Sequence, residues 1–217
     1  MSIAARRIRT PKTRATQIRK GNTRSDNRRD ELLSAAARLF SKRGFEATSM
    51  RDIANEVGML AGSMYYHFPA KDDLIVAAHA EGVRALLVAL DEALLGAVEP
   101  WARLEAMCAA HLSNLLGGSD IAGVVAVDFS QLPDELRGRL IQQRDEYEAR
   151  LAQLVDALDL RADVDKRLFR LALLGALNWT PNWFRADVDS PSEVARQLVS
   201  QLRDGARQAS PSCNNAG

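Results

Sequence analysis

The stretch SMRDIANEVGMLAGSMYYHFPAKDDL, residues 49–73, contains two short apolar-patterned segments separated by a lone glycine. Ser49 and Asp52 have the spacing of a capping box at a helix start, and apolar residues follow at the helical period up to the glycine. The second segment has the same period from near Leu60 to around Phe68, where a proline prevents simple continuation. Two short helices joined by a glycine-containing turn predict a helix-turn-helix.

One face of this helix pair is predicted to complete a small core with an upstream amphipathic helix at residues 30–43. The inward residues are Ile53, Ala54, Val57, Met59, Met64 and Phe68. The opposite face combines small residues, hydroxyls, an imidazole and cationic groups: Ser49, Arg51, Ala61, Gly62, Ser63, Tyr65, Tyr66, His67 and Lys71.

This outward face has the chemistry of a DNA contact. Small residues allow close approach of a helix to the duplex, and the surrounding polar groups can donate to phosphate oxygens. In a major groove Arg51 is able to reach guanine, and Ser63 or Ala61 is able to touch a thymine methyl. Packing of the ring into the core is the alternative for Tyr66.

The segment ELLSAAARLFSKRGFEATSMRDIANEVGMLAGSMYYHFPAKDDLI, residues 31–75, resembles the DNA-binding domain of the tetracycline-repressor (TetR) family of bacterial transcription regulators. The combination of RG-F-AT, the IA pair, VG, GSMYYHF and K-DL carries the resemblance. It implies an all-helical homodimer that binds double-stranded DNA at a palindromic operator. It also implies a larger C-terminal helical domain, where a small-molecule effector binds and releases the protein from DNA.

The resemblance also implies roles for individual residues. The phosphate contacts would come from Ser49, Tyr65, His67 and Lys71, and the contacts at or near base edges from Arg51, Ala61 and Ser63. The sequence departs from the family pattern at Leu60, where a small polar residue often begins the recognition helix. The predicted DNA-binding set is therefore Ser49, Arg51, Leu60, Ala61, Gly62, Ser63, Tyr65, Tyr66, His67 and Lys71.

Charge is distributed unevenly along the chain. Residues 1–29 contain ten basic residues and one acidic residue, a net charge of +9. Because the whole chain carries +1, the remaining residues carry −8. We predict a basic, flexible arm, which is a solvated tail, an electrostatic contact with DNA phosphates, or both. A transit peptide is a third interpretation, although no clear apolar face supports it.

Helical periodicity continues beyond the helix-turn-helix and predicts an all-α fold. Further helices are predicted at residues 71–95, 100–116, 119–129, 134–159, 163–185 and 191–207. We expect four parts: the arm at 1–29, the DNA-binding domain at 30–74, a ligand-binding and dimerisation domain at 75–207, and a disordered tail at 208–217.

The two last helices are the predicted homodimer interface. Gly175 and Ala176 lie in the middle of the apolar segment 163–185, where small residues would let two copies pack closely. The final helix contributes Val194, Leu198, Val199 and Leu202. The alternative is that both helices belong to the internal core.

The segment NWTPNWF, residues 178–184, is unusual for a helix. Pro181 removes an amide donor and predicts a kink, which opens a pocket or simply accommodates tryptophan packing. The segment looks like that of TetR members linked to lipid and acyl-coenzyme A metabolism. That likeness implies an acyl chain in the interior, with Arg185, and Arg144 or Arg150, near the phosphates. The predicted ligand-binding residues are Met107, His111, Phe129, Tyr147, Trp179, Trp183 and Arg185.

Other classes of protein fit the sequence less well. Three histidines lie far apart, and no glycine-rich phosphate loop, nucleophile elbow or metal-ligand spacing occurs, so we expect no catalytic residues, metal or cofactor. Two cysteines and the absence of long apolar runs lead us to expect a cytoplasmic protein without a membrane span. A nonspecific or architectural DNA-binding protein is the alternative function, and an enzyme on a helical scaffold is a more distant one.

Overall fold

The computed structural model describes residues 24–125 and 130–206, and within them the chain is α-helical apart from turns, loops, one short 3-10 helix and an isolated bridge residue at Leu160. The all-α fold class is therefore confirmed. Nine α-helices follow one another in these ranges: α1 (Arg24–Arg43), α2 (Met50–Glu56), α3 (Ala61–His67), α4 (Lys71–Leu94), α5 (Pro100–Leu116), α6 (Asp120–Val125), α7 (Asp134–Asp156), α8 (Lys166–Trp179) and α9 (Pro191–Ala206).

The first hydrophobic core is formed mainly by α1, α2, α3 and the first two turns of α4. Phe40, Ile53, Met64 and Leu74 are fully buried in it. The core also receives Val124 of α6 and apolar residues from the start of α7. The helix-turn-helix therefore packs on the body of the molecule through apolar contacts as well as through the chain connection.

A second core lies between the distal part of α4 and helices α5, α7, α8 and α9. Helix α5 is central to it and buries Leu104, Met107 and Leu112. The apolar face of α9 packs against α5 within the same chain, with Val194 and Val199 buried. Helix α9 consequently presents mainly polar residues to the outside.

The first helix of the described chain begins earlier than the sequence predicts. Helix α1 begins at Arg24 and not at residue 30. An ion pair between Arg28 and Glu31 and the position of the Arg29 guanidinium 5.3 Å from the Phe68 ring centroid hold its first turns. The helix still ends where predicted, before Gly44, whose φ of 83° suits glycine.

The predicted helix at 163–185 is wrong at both ends. Helix α8 begins at Lys166 because Asp165 caps it by accepting from the amides of Arg167 and Leu168. It ends at Trp179, and a 3-10 helix follows at Thr180–Asn182. The proline terminates the helix where a kink was predicted, since it has no amide to continue the ladder of backbone hydrogen bonds.

Helix α7 is also shorter than predicted. Residues 126–129 of the predicted helix 119–129 lie outside the described residues.

No helix in the described ranges combines the length and the apolar character that crossing a lipid bilayer requires.

Candidate DNA-binding surface and ligand cavity

The capping box predicted at the start of α2 is present. The Asp52 amide donates to Ser49 Oγ at 3.2 Å, and the Ser49 amide donates to Asp52 Oδ2 at 2.9 Å. The Ser49 hydroxyl also donates to the same carboxylate at 2.6 Å, which lowers the pKa of Asp52. This arrangement fixes the N-terminus of α2 but engages the hydroxyl proton that a phosphate contact would use.

The turn between α2 and α3 depends on Gly58, whose φ of 63° lies in the left-handed region that glycine adopts without strain. The Met59 amide returns to the Ala54 carbonyl at 2.8 Å. Leu60 takes the N-cap position of α3 without a side-chain hydrogen bond and is 80% exposed. The departure from the family pattern therefore leaves a large apolar side chain on the surface next to the start of α3.

Helix α3 buries one side chain, Met64, and presents the rest outward. Tyr66 is 91% exposed and Tyr65 is 52% exposed, so neither ring contributes much to the core. The alternative of core packing for Tyr66 is excluded by this exposure. Arg51, Gly62 and Ser63 are also exposed, whereas Ala61, His67 and Lys71 are half-buried.

Lys71, which begins α4, has internal partners. Its Nζ donates to the Phe45 carbonyl at 2.9 Å and lies 4.0 Å from the centroid of the Phe45 ring. These contacts attach the start of α4 to the loop that follows α1. A phosphate role for Lys71 therefore requires the ammonium to use a remaining proton or to change partner.

One contact between distant parts of the chain was not predicted from the sequence. The Arg38 guanidinium of α1 bonds to Glu56 of α2 at 3.0 Å and to Asp120 of α6 at 2.7 Å. It thus connects the DNA-binding helices with a helix of the body. Since its partners lie 18 and 82 residues away, no local spacing in the sequence indicates it.

A cavity of about 30 Å³ lies in the body of the molecule between α4, α5, α6, α7 and α8. A space of this size accommodates about one water molecule. Its walls combine aliphatic and polar side chains: Val83, Leu86, His111, Val125, Arg144, Tyr147, Glu148, Leu174 and Asn178.

The structure brings two of the predicted ligand-binding residues together in this cavity, His111 and Tyr147. Met107 is buried in the second core and does not line the cavity. The remaining candidates lie elsewhere: Trp179, Trp183 and Arg185 are exposed, and Phe129 lies outside the described residues. Arg144 lines the cavity, whereas Arg150 forms ion pairs with Asp91 and Glu146.

His111 and Tyr147 form the polar end of the cavity. Nδ1 of His111 lies 2.7 Å from the Tyr147 hydroxyl oxygen, and both side chains are buried. Burial lowers the pKa of His111 to about 4, with a partial offset from the nearby Asn178 side chain, and raises the pKa of Tyr147. Both groups are therefore neutral at physiological pH. Among the described residues no cluster of histidine, cysteine or acidic side chains is placed to bind a metal ion.

The outer face of α8 carries apolar residues that the described part of the chain does not cover. Leu168, Leu171 and Trp179 are exposed, the last by 65%, and Ala172 and Gly175 lie on the same face. Their spacing places all five along one stripe of the helix.

Comparison with known families gives two matches that together cover most of the chain. Residues 32–78 match the model of the bacterial regulatory proteins of the tetR family. Residues 97–206 match that of a tetracyclin repressor-like C-terminal domain.

The similar curated proteins are transcriptional regulators. The repressor KstR2 of Mycolicibacterium smegmatis is 51% identical over 49 residues, which are 23% of this chain and 24% of that protein. The chain thus matches only about a quarter of the length of this repressor. The fatty acid metabolism regulator protein of Bacillus subtilis is 21% identical over 178 residues, 78% of this chain and 92% of that protein.

Solved structures share the fold over most of the chain. The regulator PfmR of Thermus thermophilus is 28% identical with a TM-score of 0.69, covering 83% of this chain and 98% of that one. AibR, solved with isovaleryl coenzyme A and operator DNA, is 24% identical with a TM-score of 0.71, covering 81% and 97%. At that identity the likeness to AibR concerns the fold alone.

Proposed function

The chain belongs to the tetR family of bacterial regulatory proteins, and from that premise we propose that it is a ligand-responsive transcriptional repressor. In this proposal a homodimer binds a palindromic operator through α2 and α3 and leaves it when an effector binds in the body. The proteins similar to it in sequence are regulators of transcription and not enzymes.

The observation that carries the proposal is the outer surface of α3. A helix of seven residues buries only Met64, yet it exposes two adjacent tyrosines beside Gly62 and Ser63. Exposed aromatic hydroxyls, small residues and a neighbouring arginine suit a phosphate backbone and the edges of bases. The DNA-binding set proposed from the sequence is retained: Ser49, Arg51, Leu60, Ala61, Gly62, Ser63, Tyr65, Tyr66, His67 and Lys71.

Dimerisation is proposed through the apolar stripe of α8. One α3 helix reads few base pairs, and two copies related by a two-fold axis double the site. The stripe is the part of the predicted interface that remains uncovered, since α9 buries Val194 and Val199 inside its own chain.

The division of the chain into a DNA-binding domain and a body near residue 74 also remains a proposal. This boundary falls within α4, which contributes to both cores.

The effector is proposed to be a small apolar or acyl-coenzyme A-type molecule. The apolar part of the cavity lining and the likeness to a fatty acid metabolism regulator over most of the chain support this class. A steroid-derived effector is the alternative, because KstR2 is described as a ketosteroid regulator. The match to KstR2 at 51% identity covers only 49 residues, 23% of this chain.

The test is selection of bound fragments from random and genomic DNA at about 150 mM salt, which suppresses binding through phosphates alone. A single palindromic site, preferred about 10³-fold or more over other sequences, is expected for a dimeric repressor. Equal recovery of all sequences, with and without added metabolite extract, would instead identify a nonspecific DNA-binding protein.

A further inference from the structure

The polar end of the cavity has a defined arrangement of protons. The Tyr147 hydroxyl is buried, and Nδ1 of His111 is its hydrogen-bond partner among the described residues. A buried hydroxyl that donates to no acceptor is destabilising, so the hydroxyl donates and Nδ1 accepts. The proton of the neutral imidazole is therefore on Nε2.

Two donors of the cavity wall lack partners. Nε2 of His111 and Nε of Arg144 are buried, and neither has an acceptor at hydrogen-bonding distance in the part of the chain that the structure describes. The Asn178 side chain lies near His111 and partly offsets the lowered pKa of the ring. Both side chains line the cavity. Buried donors are paired in nearly all native proteins, so two unpaired donors at one cavity indicate a place where a bound molecule supplies acceptors.

The lining also contains the polar side chains of Tyr147, Glu148 and Asn178, and its remaining residues are apolar. Val83 and Leu86 of α4, Val125 of α6 and Leu174 of α8 form an aliphatic wall. A ligand that satisfies both parts has an apolar body at one end and an oxygen acceptor at the other.

We propose that the cavity binds an effector whose carboxylate or acyl carbonyl oxygen accepts hydrogen bonds from His111 Nε2 and Arg144 Nε, with its apolar body against the aliphatic wall. The inference rests on the proposed function, because it assigns the effector site of the repressor. Free carboxylic acids and acyl thioesters share the required oxygen, and the experiment below distinguishes them.

The small volume of the cavity has a consequence for regulation. An aliphatic body larger than a water molecule enters only if the surrounding helices separate. Val125 belongs to α6, which Arg38 connects to α1 and α2 through Asp120. Effector binding therefore favours a displaced α6, and the Arg38 contacts transmit this displacement toward the DNA-binding helices.

The first experiment measures the ring-nitrogen chemical shifts of isotope-labelled histidine in the full-length protein. Three histidines give three ring signals, and His111→Phe assigns the one of interest. We expect the neutral Nε2–H form near pH 7 in the wild type. The Nδ1–H form, or a charged ring, would overturn the assignment of the donor.

The second experiment titrates three probes of equal chain length: hexanoate, hexanoyl-coenzyme A and hexylammonium. The first two carry an oxygen acceptor, whereas hexylammonium offers donors only. We expect hexanoate or hexanoyl-coenzyme A to shift the His111 ring signals and to bind about tenfold or more tightly than hexylammonium. If hexanoate binds more tightly, the effector is a free carboxylic acid; if hexanoyl-coenzyme A does, it is an acyl thioester.

Matched variants complete the test by calorimetry. His111→Phe and Arg144→Met should each weaken the better probe about tenfold or more, because the first removes the imidazole donor and the second removes the guanidinium with its charge. Arg150→Met, on the same helix but outside the cavity, and His79→Phe, another buried histidine outside the lining, should bind it as the wild type does.

The proposal is overturned if hexylammonium binds as tightly as the acceptor probes, if neither acceptor probe moves the His111 signals at millimolar concentration, or if the cavity variants and the control variants bind equally. Failure of the proposed function gives a different result. In that case the protein still binds the acceptor probes but selects no preferred DNA site.

Discussion

Tyr66 on α3 has a ring that the fold hardly uses. Tyr66 is almost fully exposed, and its ring meets that of His67 edge-on at 6.0 Å between centroids. A side chain with so little buried area adds little to folding stability. Its position on the surface is therefore better explained by a binding partner than by the fold.

Replacing Tyr66 distinguishes a role in DNA binding from a role in folding stability. Tyr66→Ala should lower operator affinity about tenfold, since it removes a contact to the DNA backbone, and should leave the free energy of unfolding within about 0.5 kcal/mol. Fluorescence anisotropy with labelled operator and urea denaturation measure the two quantities. Val98→Ala, which truncates a residue exposed by 90% ahead of α5, is the control and should change neither. Equal loss of affinity in both variants would contradict the role of Tyr66.

His111 makes stability depend on pH in a known direction. Its pKa in the folded protein is about 4, below the ordinary value of 6.5, so between these values the unfolded chain binds more protons. The contribution is fully present above about pH 6.5 and is lost as the pH falls toward about 4. From about pH 8 to about pH 5 the wild type should lose roughly 2 kcal/mol through this group.

The measurement is urea denaturation of the wild type and of His111→Phe at both pH values. The variant lacks the titrating ring, so its loss between the two pH values should be smaller by about that amount. Subtracting the two proteins removes the contribution of the carboxylates, which also titrate in this range. Parallel pH dependences would show that the His111 pKa is not lowered in solution.

At the scale of elements, α4 and α6 cross at Gly82. A Cβ at this position would lie 2.6 Å from Cγ2 of Val125 and 2.7 Å from the Ile121 carbonyl oxygen. The second of these atoms belongs to the backbone, so it cannot move away by rotation of a side chain. The absence of a side chain at Gly82 thus sets how closely α6 approaches α4.

Gly82→Ala should destabilise the protein by about 1–3 kcal/mol, because the helices must separate to admit the methyl group. Gly138→Ala on α7 is the matched control, since a Cβ there meets nothing within 4 Å. That change should stabilise by about 0.5–1 kcal/mol through helix propensity. Thermal unfolding followed by circular dichroism distinguishes the two signs, and equal shifts in melting temperature would contradict the crossing geometry.

At the scale of the whole molecule, the apolar stripe of α8 tests the proposed dimer. Leu171→Glu introduces a charge at its centre, and burying an unpaired charge between two subunits is costly. We expect the mass in solution to fall to that of one chain and operator affinity to fall with it. Light scattering with size exclusion gives the mass. Leu95→Glu, at an 87% exposed position after α4, should remain dimeric.

The N-terminal arm gives the second prediction at this scale. Residues 1–23, which precede the described part of the chain, contain seven basic residues and no acidic one. If they bind phosphates, their deletion should weaken operator binding and reduce its dependence on salt. The slope of the logarithm of the binding constant against the logarithm of the salt concentration should become shallower by about 0.9 for each phosphate that the shortened chain no longer neutralises. An unchanged slope would exclude the arm from the contact with DNA.

The sequence by itself determined the helical class, the helix-turn-helix and the capping of α2. These features depend on interactions between residues a few positions apart, so apolar period, capping spacing and glycine position specify them locally. The outward set around Tyr65 and Tyr66 followed from the same periodicity, because the residues that do not face the core must face outward. Local signals failed at Pro181, where a helix stop and a helix kink have the same sequence pattern.

Only the tertiary structure decided which distant side chains meet. The crossing of α5 with α7 pairs His111 with Tyr147, 36 residues apart, and places Arg144 rather than Arg150 at the cavity. Helix packing likewise gave Lys71 an internal partner, connected α1 with α6 through Arg38, and turned the apolar side of α9 inward. Each outcome depends on the angle and distance between packed helices, and no spacing along a single helix specifies either quantity.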